Sequence, residues 1–458
     1  MALHDIAQTL EDGLQAIPLL DAHTHIDASH LSARGLHDVL LYHMVISDLA
    51  SAGCPNRARL SDDPDDAEAE ARLLEALPYV HGIRNTSCFW GLRIILRELY
   101  GWHEPITPDN WRRLDALIRE RAADPTWGRA ILRRAGVQRS CTELWRGRDG
   151  LADDVFHYAL EWAFFARAQW GVNDIPLFEL ERAWNQPHPG APLPVTMGGR
   201  PSLQREIRTL DDVHAAMQHY VERIPYDRVI STAQHISTDL NLRAVTPDEM
   251  AAALGRRAQA GEAERDVYAS YLLETFLSAL EPHADQILFQ FSFGAEPLPY
   301  ETGSKLRQAS IYEVAEIIAR HPRLRFQAFL SSTHANQALC TLARELPNLT
   351  LAGYWWHSFF PSAIRQVLDE RLDMLGAGRQ IGFFSDAYCV DWTYAKATLV
   401  RKQFAAVLAE RVAQGQYTLD EALDIAHTLL FEAPQTLLGM SPSPTLGAGG
   451  DPEATHSR

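Results

Sequence analysis

The stretch Leu19-Leu20-Asp21-Ala22-His23-Thr24-His25 joins a short apolar run to two histidines that stand two positions apart. Side chains of a β-strand alternate between its two faces, so His23 and His25 project to the same side. Two imidazoles on one rigid strand end can hold a divalent metal ion if further ligands arrive from elsewhere in the fold. The alternative is a chance pair at a strand end, and the motif by itself leaves both interpretations open.

The composition is that of an ordinary globular protein with a net acidic charge. The 458 residues are 46% hydrophobic and 22% charged, and this length suits two or three domains or one α/β barrel with insertions. The formal net charge of −17 argues against nucleic acid and anionic membrane surfaces as partners, because both would repel the protein. An anionic small substrate would therefore require a local cationic pocket.

The sequence also predicts a compartment. The first residues are polar with a helical pattern, and no apolar run approaches membrane-spanning length. We therefore expect no signal peptide, no transmembrane segment and a cytoplasmic location. The cysteines are odd in number and form no Cys-x-x-Cys pair, which predicts reduced and mostly buried thiols at Cys54, Cys88, Cys141, Cys340 and Cys389.

Helical patterns dominate the region after the first strand. Residues 4–16 predict an amphipathic helix that leads into that strand, and the apolar spacing over 36–52 predicts another, ended by Gly53 and Pro55. The acidic run 61–66 predicts a capped helix start, and helical patterns continue over 85–99 and 107–135. We therefore predict a helical subdomain at about residues 32–135, inserted after the first strand.

Strand signals then recur at long intervals with helical patterns between them, as in a parallel sheet. Besides 19–25, the candidate strands are 136–142, 193–197, 228–237, 286–294, 324–331, 349–356 and 380–386. Eight such elements predict an α/β protein with a (β/α)8 TIM-type barrel over residues 1–440, whose chemistry collects at the C-terminal strand ends. Helices at 393–413 and 419–438 would close the fold, and the Ser-, Pro- and Gly-rich tail 441–458 is predicted to be disordered.

The polar residues at these strand ends indicate a metal site. The first strand supplies His23 and His25, and the eighth supplies Asp386, which a closed barrel would bring beside them. A histidine pair with a carboxylate is a typical metal-binding set. Asp386 could instead cap the helix that follows it. Further polar or aromatic candidates at strand ends are His235, Trp355, Trp356 and His357.

At this point the chain resembles the uronate isomerase (glucuronate isomerase) family of the amidohydrolase superfamily, over nearly its whole length. His23-Thr-His25 is similar to the family's His-x-His motif, and the segment that begins Tyr42-His43 is similar to its Asp-His-Tyr-Lys-Trp-Arg helix. Four further segments resemble family motifs in the same order, and so does the closing run to Gly439: Gly82-Ile-Arg84-Asn85-Thr-Ser-Cys-Phe-Trp90, Gln290-Phe-Ser-Phe-Gly294, Gly353-Tyr-Trp355-Trp356 and Phe384-Ser-Asp386.

The resemblance implies one divalent metal ion, typically zinc, held by His23, His25 and Asp386, and conversion of an aldose uronate to its ketose. Suitable hexuronates are D-glucuronate and D-galacturonate. Moving a proton from C2 to C1 needs a polarised carbonyl and an acid/base that reaches both carbons, and Asp386 or His43 could shuttle that proton. Arg84 is the candidate for the substrate carboxylate. Alternatively, Arg84 forms a structural salt bridge and His43 is a satisfied core histidine.

Lysine usage limits the kind of metal site. The only lysines are Lys305, Lys396 and Lys402, so a carboxylated lysine on the fourth strand cannot bridge two metal ions. His235, near the end of that strand, could instead contact the metal or the substrate. The alternative for His235 is a hydrogen-bonded histidine at a strand end.

Three departures from the family pattern concern the substrate. Asp386 is followed by Ala387 and Tyr388 where the family has Ser-Arg, Ser292 replaces a histidine, and Met44 replaces a tyrosine. We therefore assign Tyr388 to catalysis and Ser292 to substrate binding, together with His235, Trp355 and Trp356. The first alternative function is a mononuclear metal-dependent hydrolase of an ester, amide or lactone, with Asp386 as general base. The second is a catalytically silent sugar-acid-binding or structural protein, and in each case a homo-oligomer is possible.

Overall fold

The protein is a single-layered barrel of eight parallel strands surrounded by helices. The computed structural model describes residues 2–57, 60, 64–147, 154–161, 173–186, 203–236, 240–293, 309–331, 333–354 and 360–441. Each strand pairs in parallel with the next in the chain, in the order β1 to β8. The strands are Leu19–Thr24, Val137–Glu143, Phe156–Glu161, Val229–His235, Phe289–Phe293, Phe326–Leu330, Leu349–Ala352 and Gln380–Ile381. The predicted (β/α)8 fold class is confirmed.

Seven of the eight strands lie within or across the predicted ranges, and the third does not. The observed β3 is Phe156–Glu161, which pairs with β2 and β4 and completes the sheet. The sequence pattern did not predict it, and the range predicted instead, 193–197, lies outside the described residues. Six of these seven predicted ranges are longer than the observed strands, whereas the range 136–142 has the length of β2 and ends one residue before it.

Helices α1 to α18 surround the barrel in the described part of the chain. They are Leu3–Ala16, Leu36–Leu40, His43–Ser51, Asp66–Ala76, Ser87–Ile94, Trp111–Ala122, Trp127–Ala135, Leu144–Gly147, Ile175–Asn185, Leu210–Val221, Pro247–Gly255, Glu262–Leu280, Ala309–Arg320, Asn336–Glu345, Pro361–Met374, Val390–Ala413, Leu419–His427 and Ala433–Leu438. None of the described helices has an apolar stretch of the length needed to cross a lipid bilayer.

The segment between β1 and β2 consists of helices in its described part, as the sequence pattern predicts. It contains α2 to α7, and Asp65 caps α4 by accepting a hydrogen bond from the Glu68 amide. Its division from the barrel as a subdomain at 32–135 stays a prediction. The predicted disordered tail lies outside the described residues beyond Ser441.

Apolar side chains from the strands form two cores, one between the sheet and the helices and a smaller one inside the barrel. Alternation along the strands separates them, since Leu19 joins the outer core whereas Leu20 joins the inner one. The inner cluster includes Leu20, Ala22, Cys141, Ala159, Leu288, Phe329, Ala352, Ile381 and Phe384. Gln290 crosses this interior and donates hydrogen bonds to Gln327 Oε1 at 2.8 Å and to the Ala22 carbonyl at 3.4 Å.

The chain leaves β7 through a backbone conformation that only glycine adopts without cost. Gly353 has φ +44°, and a Cβ at this position would lie 2.1 Å from a ring carbon of Phe384. Phe384 stacks on Phe329 with ring centroids 4.4 Å apart, and both rings contact His23. The absence of a side chain at Gly353 therefore leaves room for the Phe384 ring, which packs with Phe329 against His23.

We predict that Gly353→Ala lowers the free energy of unfolding by about 2–5 kcal/mol, because it combines backbone strain with overpacking against Phe384. Urea unfolding followed by circular dichroism measures the change. The control is Gly376→Ala, since Gly376 has φ −61° and no atom lies within 4 Å of a Cβ there. Equal stability of the two variants would contradict the prediction.

Candidate metal centre

His23, His25 and Asp386 converge at the C-terminal end of the barrel. Asp386 Oδ1 lies 3.1 Å from His25 Nε2 and 3.7 Å from His23 Nε2. One possible ligand atom from each of the three residues lies within 4.8 Å of the others. His23 and Asp386 are buried, and His25 is partly exposed. The structure thus brings together the three side chains expected to bind a metal, and their role as ligands stays a prediction.

Main-chain hydrogen bonds between β1 and the segment after β8 set this geometry. The Asp386 amide donates to the His23 carbonyl at 3.0 Å, and the His25 amide donates to the Ala387 carbonyl at 2.8 Å. The Thr24 hydroxyl also donates to the Ala387 carbonyl. Asp386 has φ +48°, an uncommon value for a residue other than glycine. Because of this turn, its carboxylate faces the two imidazoles across the seam of the barrel.

A buried carboxylate orients the second histidine. His25 Nδ1 donates a hydrogen bond to Glu143, the last residue of β2, and Glu143 also accepts one from Arg146 Nε. Burial alone would raise the pKa of Glu143, but the charges and hydrogen bonds of these two partners lower it to about 2. With Nδ1 held by Glu143, the Nε2 atom of His25 faces Asp386 and His23. Such a carboxylate behind a histidine is a common second layer of metal sites.

The protonation states of His23 and Asp386 fit a divalent cation. Burial and the charge of His25 lower the pKa of His23 to about 4, so its imidazole is neutral at physiological pH. Burial opposes ionisation of Asp386, but its hydrogen bond from His25 and the charge of that ring hold its pKa well below the usual range. His23 Nδ1 is buried with no hydrogen-bond partner among the described residues. Neutral imidazoles and an ionised carboxylate are the ligand forms that metals require. Burial opposes protonation of His25, but Glu143 and Asp386 hold its pKa well above the usual range, so a metal ion that binds Nε2 of His25 must displace a proton.

Two other predicted catalytic residues lie against this cluster. Tyr388 stacks on His25 with ring centroids 4.9 Å apart and an angle of 20° between the planes. His43, the buried first residue of α3, contacts Tyr388 with ring centroids 5.5 Å apart. The guanidinium of Arg146 lies over the same Tyr388 ring, 5.4 Å from its centroid. His43 and Tyr388 are therefore positioned beside the candidate metal ligands.

The predicted substrate-binding residues have different surroundings. Arg84 is exposed, follows a short 3₁₀ helix at Leu77–Ile83, and donates a hydrogen bond to the His81 carbonyl at 3.0 Å. The described contacts do not join it to His25, Asp386 or Tyr388. Its contact with a substrate stays a prediction.

His235, the last residue of β4, contacts Ser292, the penultimate residue of β5. His235 Nδ1 lies 3.0 Å from the Ser292 hydroxyl oxygen, in register across β4 and β5. Ser292 Oγ also lies 3.3 Å from the Gln234 carbonyl. Trp355, Trp356 and His357 lie outside the described residues. The serine that replaces the family histidine is thus next to the histidine predicted on β4.

Sequence reasoning missed Glu143 and Arg146. The available signal was the polar end of the second strand, Thr142-Glu-Leu-Trp-Arg146, but the predicted strand stopped at residue 142 and Glu143 was not considered as a strand-end residue. The expected state of the thiols is confirmed, since all five cysteine positions are described and each cysteine is buried and unpaired. Burial raises the pKa of Cys389 well above its usual range.

A segment of the chain is similar in sequence to curated uronate isomerases. One match is to the uronate isomerase of Cutibacterium acnes, 33% identical over 111 residues, which is 24% of this chain and 24% of that protein. The chain therefore matches about a quarter of the length of this relative. No protein-family model matches the chain.

Solved structures of uronate isomerases share the fold over almost the whole chain. The uronate isomerase of Thermotoga maritima has a TM-score of 0.75 at 14% identity and covers 95% of this chain and 97% of its own. The glucuronate isomerase of Caulobacter crescentus has a TM-score of 0.74 at 16% identity, with 98% and 97% covered. A putative metal-dependent hydrolase from Lactobacillus casei has a TM-score of 0.54 at 14% identity, with 94% and 97% covered. The resemblance to uronate isomerases is thus confirmed in partial sequence and in overall fold.

We predict that Glu143→Gln weakens binding of a divalent metal ion by about 10- to 100-fold, because the charge that holds Nδ1 of His25 is lost. Competition between the metal-free protein and a chromophoric chelator for Zn²⁺ measures the affinity. A matched control is Glu274→Gln on α12, which changes another histidine-bound carboxylate, 3.0 Å from His321 Nε2. Equal affinity of Glu143→Gln and the control would show that Glu143 does not support the site.

Proposed function

We propose that this protein is a metal-dependent isomerase that interconverts the aldose and ketose forms of a hexuronate such as D-glucuronate or D-galacturonate. The observation that carries the proposal is the convergence of His23, His25 and Asp386 at the barrel mouth. It is supported by the shared fold and partial sequence similarity with uronate isomerases. The solved structures match the fold over almost the whole chain, but the sequence match covers only about a quarter of it. The activity is therefore our inference.

The three converging side chains would hold one divalent metal ion, for which we propose zinc because two imidazoles and one carboxylate suit it. When bound, such an ion supplies Lewis-acid polarisation of a substrate oxygen. Glu143 would keep His25 in the tautomer whose Nε2 faces the ion. The chain's own contribution to the site is therefore a fixed, partly water-excluded set of donors.

Aldose–ketose exchange requires removal of the proton at C2 and its return at C1. A carboxylate oxygen of Asp386 or a ring nitrogen of His43 is our candidate to carry this proton between the two carbons. The phenol of Tyr388, stacked on His25, would donate a hydrogen bond to a substrate hydroxyl or carbonyl. Holding the sugar over this aromatic surface would keep both carbons within reach of one acid/base group.

The acidic protein must supply cations for the substrate carboxylate. We propose Arg84 for this contact, because a planar guanidinium can pair with both carboxylate oxygens. Arg146, unlike Arg84, lies beside Tyr388, but its guanidinium already donates to Glu143. His235, Ser292, Trp355 and Trp356 are our further candidates for substrate contacts.

A metal-dependent hydrolase is the second candidate function. The specific observation in its favour is the shared fold with the putative hydrolase of Lactobacillus casei, together with serine and tyrosine at positions where the resemblance implies histidine and arginine. In this alternative Asp386 would act as general base toward water that attacks an ester, amide or lactone. Both candidate functions use the same three metal ligands. They differ in the reaction, because the isomerase moves a proton from C2 to C1 whereas the hydrolase directs water at a carbonyl carbon.

We further propose a cytoplasmic location, a small-molecule substrate and a possible homo-oligomer. The free and buried cysteines suit a reducing compartment. The net charge of −17 disfavours nucleic acid and anionic membranes as partners.

Metal-loaded protein is expected to convert D-glucuronate or D-galacturonate to the ketose and to exchange the C2 proton with deuterium, because the proton passes through an enzyme group. NMR in deuterated water measures both events. Asp386→Asn should lower the rate by about 10²- to 10⁴-fold, the usual contribution of a positioned acid/base. Absence of both turnover and C2 exchange in the unmodified protein would contradict the isomerase proposal. Hydrolysis of a lactone or ester panel by the same preparation would then support the hydrolase.

Arg84→Met should lower kcat/KM for a uronate by about 100-fold or more, because two charge-assisted hydrogen bonds to the carboxylate are lost. Steady-state kinetics measure the effect. Arg93→Met, an exposed arginine on α5, is the control that should leave the kinetics unchanged. Unchanged kinetics of Arg84→Met would remove Arg84 from the substrate site. Arg146→Met would then test the guanidinium that lies over Tyr388.

A further inference from the structure

Two buried residues that the proposed reaction does not use meet behind Asp386. The Tyr42 hydroxyl donates a hydrogen bond to the Asp386 carbonyl at 2.7 Å. Lys396 Nζ donates to the Tyr42 hydroxyl at 2.7 Å and lies 3.4 Å from the same carbonyl. Both side chains are buried, although an ammonium group is costly to remove from water. A buried lysine at this position therefore suggests that its ammonium group has a specific structural role.

The Asp386 main chain is the part of the site that most requires support. Its φ of +48° is disfavoured for a residue with a Cβ and persists only where neighbouring contacts hold it. The amide of Asp386 is bound to β1 through the His23 carbonyl, whereas its own carbonyl points to Tyr42 and Lys396. The peptide units that flank the candidate ligand are thus held from two sides.

The same pair also connects Asp386 to His43. Tyr42 immediately precedes α3 and contacts the His43 ring with centroids 4.2 Å apart. The Tyr42 ring also stacks on Trp392 of α16, with centroids 4.5 Å apart and an angle of 23°. Lys396 lies one turn further along α16, and its Nζ is 5.0 Å from the Tyr42 centroid. Three elements, α3, α16 and the segment after β8, therefore meet at one phenol.

The direction of the hydrogen bonds follows from donor chemistry. A phenol has one proton, which Tyr42 donates to the Asp386 carbonyl. The bond between Tyr42 and Lys396 must then run from the ammonium group, which has only donors. A charged donor polarises the phenol and strengthens the bond that it makes in turn. The two hydrogen bonds therefore run in one direction, from the Lys396 ammonium group to the Tyr42 hydroxyl and from that hydroxyl to the Asp386 carbonyl.

We propose that Tyr42 and Lys396 are a positioning pair that holds the Asp386 main chain so that its carboxylate faces His23 and His25. The inference rests on the proposed metal site at these three residues. Neither member of the pair touches the substrate. Their effect reaches the site through the backbone of Asp386 and, for Tyr42, through the placement of His43.

The test is the Zn²⁺ affinity of metal-free protein, measured by competition with a chromophoric chelator. Tyr42→Phe and Lys396→Met are each expected to weaken Zn²⁺ binding by about 10-fold or more, as loss of supporting residues does in other metal sites. The double variant should lose less than the product of the two single effects, because both residues act through one carbonyl. A residue that serves only global stability would change the unfolding midpoint without changing this affinity.

Lys402→Met is the matched control. Lys402 lies on the same helix and forms an ion pair with Glu11, away from Asp386. It should lose some stability and keep the Zn²⁺ affinity of the unmodified protein. Circular dichroism and thermal unfolding verify the folding of each variant. If Lys396→Met does not fold, the smaller change Tyr42→Phe decides the matter alone.

Asp386→Asn separates failure of the inference from failure of the proposed site. If Asp386→Asn loses Zn²⁺ binding while folded Tyr42→Phe and Lys396→Met bind as the unmodified protein does, the positioning role is overturned and the metal site stands. If Asp386→Asn itself binds Zn²⁺ normally, the metal site is overturned, and the positioning role with it. Weakened binding in all three variants, with Lys402→Met unchanged, supports both.

Discussion

The hydrogen bonds that close the barrel between its first strand and the segment after its last strand are the contacts on which the candidate site depends. They join the Asp386 amide to His23 and the His25 amide to Ala387. A sheet that ended at β8 would leave these backbone groups without partners and would leave Asp386 on a free edge. Closure of the barrel gives these backbone groups hydrogen-bond partners and also places the Asp386 carboxylate next to the imidazoles of His23 and His25. The hydrogen bonds that close the barrel are therefore also the ones that position the candidate metal ligands.

Burial of charge around this seam is tolerated because each charged group has a nearby partner. Glu143 is balanced by His25 and Arg146, and its pKa of about 2 indicates that these partners outweigh the cost of burial. Asp21 shows the opposite balance, since burial raises its pKa to about 7 although the amide and hydroxyl of Ser385 both donate to it. The difference follows from the partners, because ionised side chains stabilise a carboxylate more strongly than neutral donors do.

Most of the barrel could be predicted because its strands are short apolar runs between helical patterns. The third strand could not, because Phe156–Glu161 is followed directly by Trp-Ala-Phe-Phe and no turn signal marks its end. The same limit affected the site. A strand end placed one residue early hid Glu143, whose contact with His25 lies across the β1–β2 pairing and leaves no trace in local spacing. Tyr42 and Lys396 are separated by hundreds of residues and meet only where the start of α3 contacts α16 and the segment after β8.

The sequence by itself determined the fold class, the histidine pair on one face of the first strand and the carboxylate expected beside it, since alternation and strand order are local or topological properties. Only the tertiary structure decided the support of that site: the left-handed turn at Asp386, the contact of His25 with Glu143 and the buried lysine behind Asp386. The physical reason is that hydrogen-bond partners and desolvation depend on which distant residues share a buried space, and spacing along the chain does not encode that.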